Sequence, residues 1–225
     1  MNVQAITLIN KVIHVLQINA RWMSWNLFLA FIPLVLSIWL FRTGSRRSLP
    51  LLWWIGFLVF YAFLPNAPYL LTDVIHLIQD IRTIPSVWII TLILIPTYLL
   101  VILAGFEAYV ISLINWGYYL HRVGKSKWIL WMEVVTHALC AVGIYWGRFL
   151  RLNSWDFVTQ PDAVLIKGAD DILAKLPLAI IAVTFVILTC LYWIMKRVTL
   201  GFLSRGDNRL AVKLRRIKSN NPKAG

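Results

Sequence analysis

The residues best suited to chemistry lie on one face of a short segment that follows Pro68. Asp73, His76 and Asp80 stand at positions i, i+3 and i+7, so a helix brings their side chains to one side. They are candidate catalytic residues, because imidazole titrates near neutral pH and a neighbouring carboxylate can orient the ring for general base catalysis. The alternative is a structural hydrogen-bond network between two elements. Three ligands on one helix rarely complete a metal site, so we predict no metal here.

A second set of polar residues follows the fourth apolar run and suits the binding of an anionic group. Arg148 and Arg151 lie three residues apart, and Asn153 and Asp156 follow them. Guanidinium groups bind phosphate and carboxylate groups through paired hydrogen bonds. We therefore treat these four residues, together with Asn66, as candidate ligand-binding residues. The alternative is charge pairing, in which an aspartate holds one of the arginines and joins two outer elements.

Three ionisable residues interrupt the apolar runs themselves. Glu107 lies in the third run, and Glu133 and His137 lie four residues apart in the fourth. An ionisable group within a membrane costs around 3 kcal/mol on insertion scales, which makes each of them a functional candidate. We interpret the three as a candidate proton path. The interpretation that we favour for the two glutamates places both near the inner membrane surface, where the basic residues of 120–127 can pair with them.

The composition shows which solvent surrounds these residues. Of the 225 residues, 60% are hydrophobic and 14% are charged, with a mean hydropathy of +0.75, whereas about a quarter of the residues of a soluble domain are charged. Lipid must therefore be the solvent for most of the chain. No stretch between the apolar runs is long enough to build a separate aqueous core, so we predict one membrane domain.

Five apolar runs are candidate membrane-spanning helices. They cover residues 25–41, 51–64, 87–113, 128–145 and 178–195. The predicted fold is an all-α, polytopic transmembrane helix bundle of five spans, with a kink at Pro96 and short amphipathic surface helices, one of them near residues 163–173. The predicted divisions are an amphipathic N-terminal helix at 1–21, a transmembrane domain at 22–198 and a basic cytoplasmic tail at 199–225. A sixth span within the first division is the alternative.

The second run is too short to cross a membrane unaided. As a helix, residues 51–64 would extend about 21 Å, against a hydrocarbon core of roughly 30 Å. Pro65 and Pro68 then interrupt the helix, so the break should lie at the depth of the outer leaflet. Pro68 suits the first turn of a new helix, with Asn66 or Ala67 in the capping region.

The basic residues set the expected orientation. The net charge is +13, and residues 196–225 carry nine lysines or arginines against a single aspartate. Residues 42–47 and 120–127 are also positive, whereas residues 64–83 and 148–175 are not. By the positive-inside rule, the C-terminus is cytoplasmic and the break in the second span faces outward. No nucleic-acid-binding motif accompanies the charge, so we predict membrane lipid and no nucleic acid as a partner.

No sequence motif identifies a reaction or a cofactor. The chain lacks a Walker loop, a dinucleotide-binding glycine pattern, a GxSxG nucleophile elbow and an HExxH zinc motif, and we predict no cofactor. Three functions stay open. The first, which we favour, is envelope assembly or maintenance. The others are a membrane enzyme acting on an anionic, lipid-linked or phosphate-bearing head group at the outer leaflet, and a small proton-coupled transporter.

Two segments resemble a known family. Residues 64–76, LPNAPYLLTDVIH, and residues 147–156, GRFLRLNSWD, resemble the pattern of an uncharacterised family of bacterial multi-pass membrane proteins, classed as a domain of unknown function. The hydrophobic layout agrees from about residue 27 to residue 195. The resemblance implies a protein of the bacterial cytoplasmic membrane. It implies no catalytic residue and no ligand, because the family has no established activity.

Overall fold

The computed structural model describes residues 3–43, 50–150 and 175–220, and the regular elements within these ranges are all helical. The α-helices are α1 Val3–Ser37, α2 Pro50–Phe63, α3 Asn66–Tyr69, α4 Val74–Thr83, α5 Val87–Ile89, α6 Ile95–Arg122, α7 Ile129–Phe149 and α8 Lys175–Asn220. The π-helical turns Ile38–Thr43 and Ile90–Leu94 and the 3₁₀ turns Leu70–Asp73 and Ser126–Trp128 adjoin them. The predicted surface helix at 163–173 and the candidate residues Arg151, Asn153 and Asp156 lie outside the described residues.

Five helical segments are long and apolar enough to cross a membrane. They are Asn19–Thr43, Leu51–Thr83, Val87–Arg122, Ser126–Phe149 and Lys175–Ser204. Large apolar side chains are exposed on these segments, among them Phe28, Leu58, Leu100 and Val183, as expected where lipid is the solvent. The predicted all-α bundle with five spans is confirmed.

The first helix is longer than the predicted first span. α1 runs without interruption over Val3–Ser37, so the segment predicted as a separate surface helix at 1–21 continues directly into the span. No glycine or proline precedes Pro33, so no helix breaker separates the two segments. At the other end of the chain, α8 likewise continues to Asn220, beyond the predicted start of the tail at residue 199.

The break in the second span is a tight turn rather than a loop. α2 ends at Phe63 and α3 begins at Asn66, because Pro65 and Pro68 have no N–H with which to continue the α-helical pattern. Pro65 occupies the N-cap position of the new helix. Asn66 instead donates its carboxamide N–H to the carbonyl of Phe63 at 3.0 Å, at the end of α2. The N-cap is therefore one residue before the predicted capping region of Asn66 or Ala67.

Two glycines allow the neighbouring helices to pack closely against this break. A Cβ atom at Gly143 of α7 would lie 3.0 Å from Cβ of Pro65, and one at Gly105 of α6 would lie 2.7 Å from Cδ2 of Leu70. Both distances are shorter than ordinary van der Waals contact between carbon atoms. The lack of a side chain at these two positions thus sets how closely α6 and α7 approach the break.

The third span changes its helical winding at the predicted kink. Pro96 lies in the first turn of α6, directly after the π-helical turn Ile90–Leu94. Because proline has no N–H and its ring crowds the preceding turn, the wider π-helical turn accommodates it within a continuous span. α6 then continues to Arg122, beyond the predicted end of the span at residue 113.

An aromatic cluster joins the π-helical end of the first span to α2 and α6. Phe41 stacks on Trp116 with ring centroids 5.8 Å apart and meets Phe60 edge to face at 5.4 Å. Next to this cluster, Arg42 donates from Nε to Oδ1 of Asn115 at 2.8 Å. These contacts set the spacing of three spans without using any of the candidate site residues.

Candidate functional site

The polar face of α4 points into the protein, and its apolar face points outward. Asp73, at the end of the 3₁₀ turn before α4, is 2% exposed, and His76 and Asp80 are partly buried. On the opposite side, Val74 and Ile78 are 43% and 47% exposed. A membrane helix with this distribution presents its apolar side to lipid and its ionisable groups to the neighbouring helices. The candidate residues of α4 therefore face the inside of the bundle.

A row of side chains on α1 meets this polar face in antiparallel register. Asn19 donates a hydrogen bond from its carboxamide to Oδ2 of Asp80, and Tyr98 of α6 donates to the same oxygen at 2.9 Å. Trp22 donates from Nε1 to Asn19 at 3.0 Å. One turn along the row, the ring of Trp22 packs against His76 with centroids 4.9 Å apart. Asp80 thus belongs to a cluster formed by α1, α4 and α6.

Arg148, near the end of α7, is held at the other end of the polar face. Its Nη2 lies 3.1 Å from Oδ1 of Asp73 and donates to Oγ1 of Thr72 at 2.7 Å, and its Nε donates to the same hydroxyl at 3.1 Å. Since a guanidinium has no acceptor, Nη1 donates to Nε2 of His76, at 3.4 Å. The guanidinium carbon lies 4.9 Å from the ring centroid of Tyr69. An ion pair therefore joins α7 to the segment after the break.

The structure brings two of the three candidate catalytic residues together and separates the third. Asp73 and His76 both contact Arg148, whereas Asp80 lies in the other cluster. Two helical turns, or about 10 Å, separate the two aspartates along the helix, and different helices meet them there. The expected single network is thus two clusters, connected by the packing of Trp22 against His76.

A cavity of about 560 Å³ lies beside the ion pair, between α1, α7 and the break. The polar residues at one end of it are Asn26, Asn66, Asp73, His76 and Arg148. Asn26, the third member of the row on α1, donates to Oδ2 of Asp73 at 3.5 Å. The other four are candidate residues from separate parts of the sequence. The fold has therefore collected them around one space.

The rest of the cavity is largely apolar. Leu29 on α1 and Leu139 and Val142 on α7 line it. Along α7, Leu139 lies about 13 Å deeper than Arg148. Trp25 and Leu139, on the two walls, are 52% and 49% exposed, so the cavity borders on the outer surface of the bundle. The result is an amphipathic cavity with an open side.

The two candidate glutamates lie in a separate buried network formed with α8. Glu133 forms a salt bridge with the ammonium group of Lys196, and Glu107 accepts a hydrogen bond from the hydroxyl of Thr199 at 2.6 Å. Both partners come from α8 and not from residues 120–127, which corrects the pairing expected from the sequence. The physical reason is that α8 packs along α6 and α7 and brings its own polar side chains to the depth of the glutamates.

His137 lies one turn along α7 from Glu133 and is fully buried. The hydroxyl of Tyr109 is 2.6 Å from its Nδ1, and the ring of Tyr192 packs against it with centroids 4.6 Å apart. Tyr192 in turn donates to Glu133 at 2.7 Å. Within the described part of the chain, Nε2 of His137 has no hydrogen-bond partner. His137 and Glu133 thus share Tyr192 as a neighbour. Tyr192 is hydrogen-bonded to Glu133 but contacts His137 only through its ring.

Two polar side chains of the cavity lie next to this network. Tyr61 lines the cavity, and its hydroxyl is 3.0 Å from that of Thr136, the neighbour of His137 in the chain. Cys140 also lines the cavity and lies close to Tyr109, whose hydroxyl contacts His137. Polar side chains therefore extend from the cavity to the buried network.

Histidine, cysteine, aspartate and glutamate residues all occur within the described ranges 3–43, 50–150 and 175–220. In these ranges no group of three or more His, Cys, Asp or Glu side chains is placed to hold a metal ion. Asp73 and His76 do lie together, but a cation between them would compete with Arg148 for both. Their arrangement suits hydrogen bonding to a polar group.

Other helices complete these clusters with residues that are not among the candidates predicted from the sequence. Asn19, Trp22 and Asn26 stand at i, i+3 and i+7 within an apolar stretch, and this spacing of polar and amphipathic side chains is the signal that could have identified them. Lys196 is also missed, because it begins the basic tail and is counted there with the orienting charges. Its burial against Glu133 depends on packing that periodicity does not reveal.

A protein-family model covers most of the chain. The model is described as Protein of unknown function (DUF1361) and matches residues 25–190. The matched range contains both segments of resemblance, at 64–76 and 147–156, and therefore the polar end of the cavity. No curated protein and no solved structure matches the chain.

Proposed function

The chain belongs to the DUF1361 family, whose function is unknown, and from this premise we propose that it binds the polar head group of a membrane amphiphile in its lateral cavity, in a role in envelope assembly or maintenance. The proposal rests on the amphipathic lining of the cavity. Asp73, His76 and Arg148 make its polar end, and Leu139 and Val142 contribute to its apolar wall.

A lipid or lipid-linked molecule has the same division of polarity as the cavity. Polar groups near the end of a span match a head group, and apolar groups deeper along α7 match the start of a hydrocarbon chain. The half-exposed Trp25 and Leu139 flank the open side, so that a molecule can enter from the lipid. The volume of about 560 Å³ accommodates a head group and the upper chain, since ligand pockets typically measure about 300–1,000 Å³.

The proposed location is a bacterial cytoplasmic membrane, with the C-terminus in the cytoplasm. The resemblance of the two sequence segments supports the bacterial origin, and the basic excess of residues 196–225 supports the orientation. In this orientation the polar end of the cavity lies toward the outer leaflet. The ligand is then an outer-leaflet amphiphile.

Mass spectrometry of molecules that co-purify with the protein tests this proposal. The protein should be extracted with its surrounding lipid by an amphipathic polymer, and we expect one amphiphile to be enriched over the bulk lipid. Val142→Trp, which fills the apolar wall, should remove the enrichment. Leu130→Trp, at an exposed position of α7 outside the cavity, is the matched control. Equal lipid profiles for wild type and Val142→Trp, with both folded, would contradict the proposal.

A small proton-coupled transporter is the second candidate, and the buried network favours it. Polar side chains extend from Cys140 in the cavity wall past Tyr109 to His137, and Glu133 and Lys196 lie beyond. Transport requires Glu133→Gln and His137→Ala to abolish the activity while the cavity still retains its ligand. A binding protein should tolerate both substitutions if it stays folded.

An enzyme acting on a lipid-linked substrate receives less support from the geometry. Arg148 engages Oδ1 of Asp73 and Nε2 of His76, the groups best suited to act as a base. A general base must reach the proton that it removes through a free lone pair. Conversion of the co-purified amphiphile during incubation, lost in His76→Ala, would favour this alternative over binding.

A further inference from the structure

We propose that the head group bound by this cavity is uncharged and rich in hydroxyl groups, as in a glycolipid, rather than a phosphate. The inference rests on the proposed binding of an amphiphile and concerns its head group. Among the described residues that line the cavity, the charged ones are Asp73 and Arg148, which lie 3.1 Å apart. With His76 neutral, the described residues of the polar end carry no net charge with which to attract an anion.

The guanidinium of Arg148 is already engaged on all three nitrogens. Its hydrogen bonds go to Thr72, His76 and Asp73. A phosphate that took paired hydrogen bonds from Nη1 and Nη2 would displace Asp73 from Nη2, and a carboxylate that is 2% exposed would remain buried without its cation. A neutral head group leaves the ion pair intact. The pair therefore selects against anionic head groups.

The polar groups that remain available suit hydroxyl groups. Because His76 accepts the Arg148 hydrogen bond at Nε2, its Nδ1 carries the hydrogen and is a donor. Asn26 uses its amino group on Asp73, and its carboxamide oxygen accepts no hydrogen bond from the described residues. Among the described residues, the Tyr61 hydroxyl has Thr136 as its one side-chain partner, and it can form a further bond. A hydroxyl group both donates and accepts, as this mixed set requires, whereas an ionised phosphate oxygen only accepts.

Aromatic rings complete the lining of the cavity. Trp25 is on the α1 wall and Trp146 is on the α7 wall. Their flat apolar faces can pack against the C–H face of a sugar ring while the hydroxyl groups at its edge reach the polar end. Such a combination of rings with neutral donors and acceptors is poorly matched to a compact anion.

The test is the equilibrium displacement of radiolabelled dodecyl maltoside from the full chain in lipid nanodiscs. The protein is extracted by polymer and transferred without any glycosidic detergent, and empty nanodiscs measure partitioning into lipid. The competitors are unlabelled dodecyl maltoside, dodecyl phosphate, which has the same chain, and maltose, which has the same head group. We expect dodecyl maltoside to compete at concentrations at least about tenfold lower than either of the other two.

Three other outcomes are possible, and each overturns a different part of the proposal. If dodecyl phosphate competes as well as dodecyl maltoside, the inference about the head group is overturned and amphiphile binding stands. If maltose competes as well as dodecyl maltoside, the site binds free sugar, and the inference that the ligand is a lipid is overturned. If neither alkyl compound binds saturably above empty nanodiscs, the proposed function fails together with the inference.

A pair of variants assigns the contact to the cavity. Asn26→Leu removes a cavity amide with little change in volume, and we expect about a tenfold weaker affinity for dodecyl maltoside. Asn10→Leu makes the same change at an exposed position of α1, outside the cavity, and should leave the affinity unchanged. Equal affinities of the two folded variants would overturn the role of Asn26. If Asn26→Leu does not fold, the competitor series on the wild type still decides the inference.

Discussion

Replacing Arg148 with leucine tests the ion pair on which the polar end of the cavity depends. The substitution leaves the carboxylate of Asp73 buried at 2% exposure, with Asn26 at 3.5 Å as a remaining donor. Removing one partner of a buried ion pair typically costs about 3–5 kcal/mol. The Arg148 side chain is 16% exposed, so solvent still reaches the ion pair on one side. We therefore expect a loss at the lower end, about 3 kcal/mol of unfolding free energy.

The second half of this prediction concerns the double variant. Asp73→Asn alone should cost about 1–2 kcal/mol, because the guanidinium keeps Thr72 and Tyr69 as partners. In the Arg148→Leu background the same substitution removes the unpaired charge. The double variant should then be more stable than Arg148→Leu alone by about 1–2 kcal/mol.

Reversible unfolding in mixed micelles, followed by tryptophan fluorescence, gives the four free energies of this cycle. Arg82→Leu, at an exposed position of α4, is the matched control and should change stability by no more than about 0.5 kcal/mol. The reasoning is refuted if Arg148→Leu is no more destabilising than this control. It is also refuted if the two single effects add to within about 0.5 kcal/mol, because contacting residues should couple more strongly.

Two further predictions concern the break and the orientation. Gly143→Ala should destabilise the protein by about 1–3 kcal/mol in the same unfolding assay, because its Cβ would lie 3.0 Å from Pro65. Gly201→Ala, where the new Cβ meets no described atom within 4 Å, should instead be neutral or stabilising. A reporter that requires the cytoplasm should be active when it is fused after the last residue. Activity of a reporter that requires the periplasm, fused at the same point, would contradict the proposed orientation.

The spans were predictable because lipid imposes one strong requirement on the backbone. Every N–H and C=O within the membrane must be bonded, so a sufficiently long apolar run has to be helical. This requirement does not define where a helix ends in water. α1 continues across the predicted limit at residue 21, because no glycine or proline separates its two parts. α8 likewise continues through Gly201, beyond the predicted limit at residue 199.

The polar end of the cavity was predictable as a set of residues but not as a set of contacts. Asp73, His76 and Arg148 could be identified because each is a strongly polar group beside an apolar run. Which aspartate pairs with Arg148 depends on the depth at which α7 packs against the break, and Gly143 controls that approach. Sequence periodicity places residues on a face of one helix and carries no information on the depth of its neighbour.

The contacts of α1 show which sequence pattern could have predicted how α1 aligns with α4. The end members of polar rows on two antiparallel membrane helices can both pair only if the two rows have the same length. The rows Asn19–Asn26 and Asp73–Asp80 both span seven residues, although their middle members, Trp22 and His76, are one residue out of register. The register that this implies pairs the N-terminal member of one row with the C-terminal member of the other, and it is the register observed for Asn19 with Asp80 and for Asn26 with Asp73. The cost of leaving a polar side chain unpaired in lipid thus makes the polar rows, more than the apolar positions, the features that define how these two helices align.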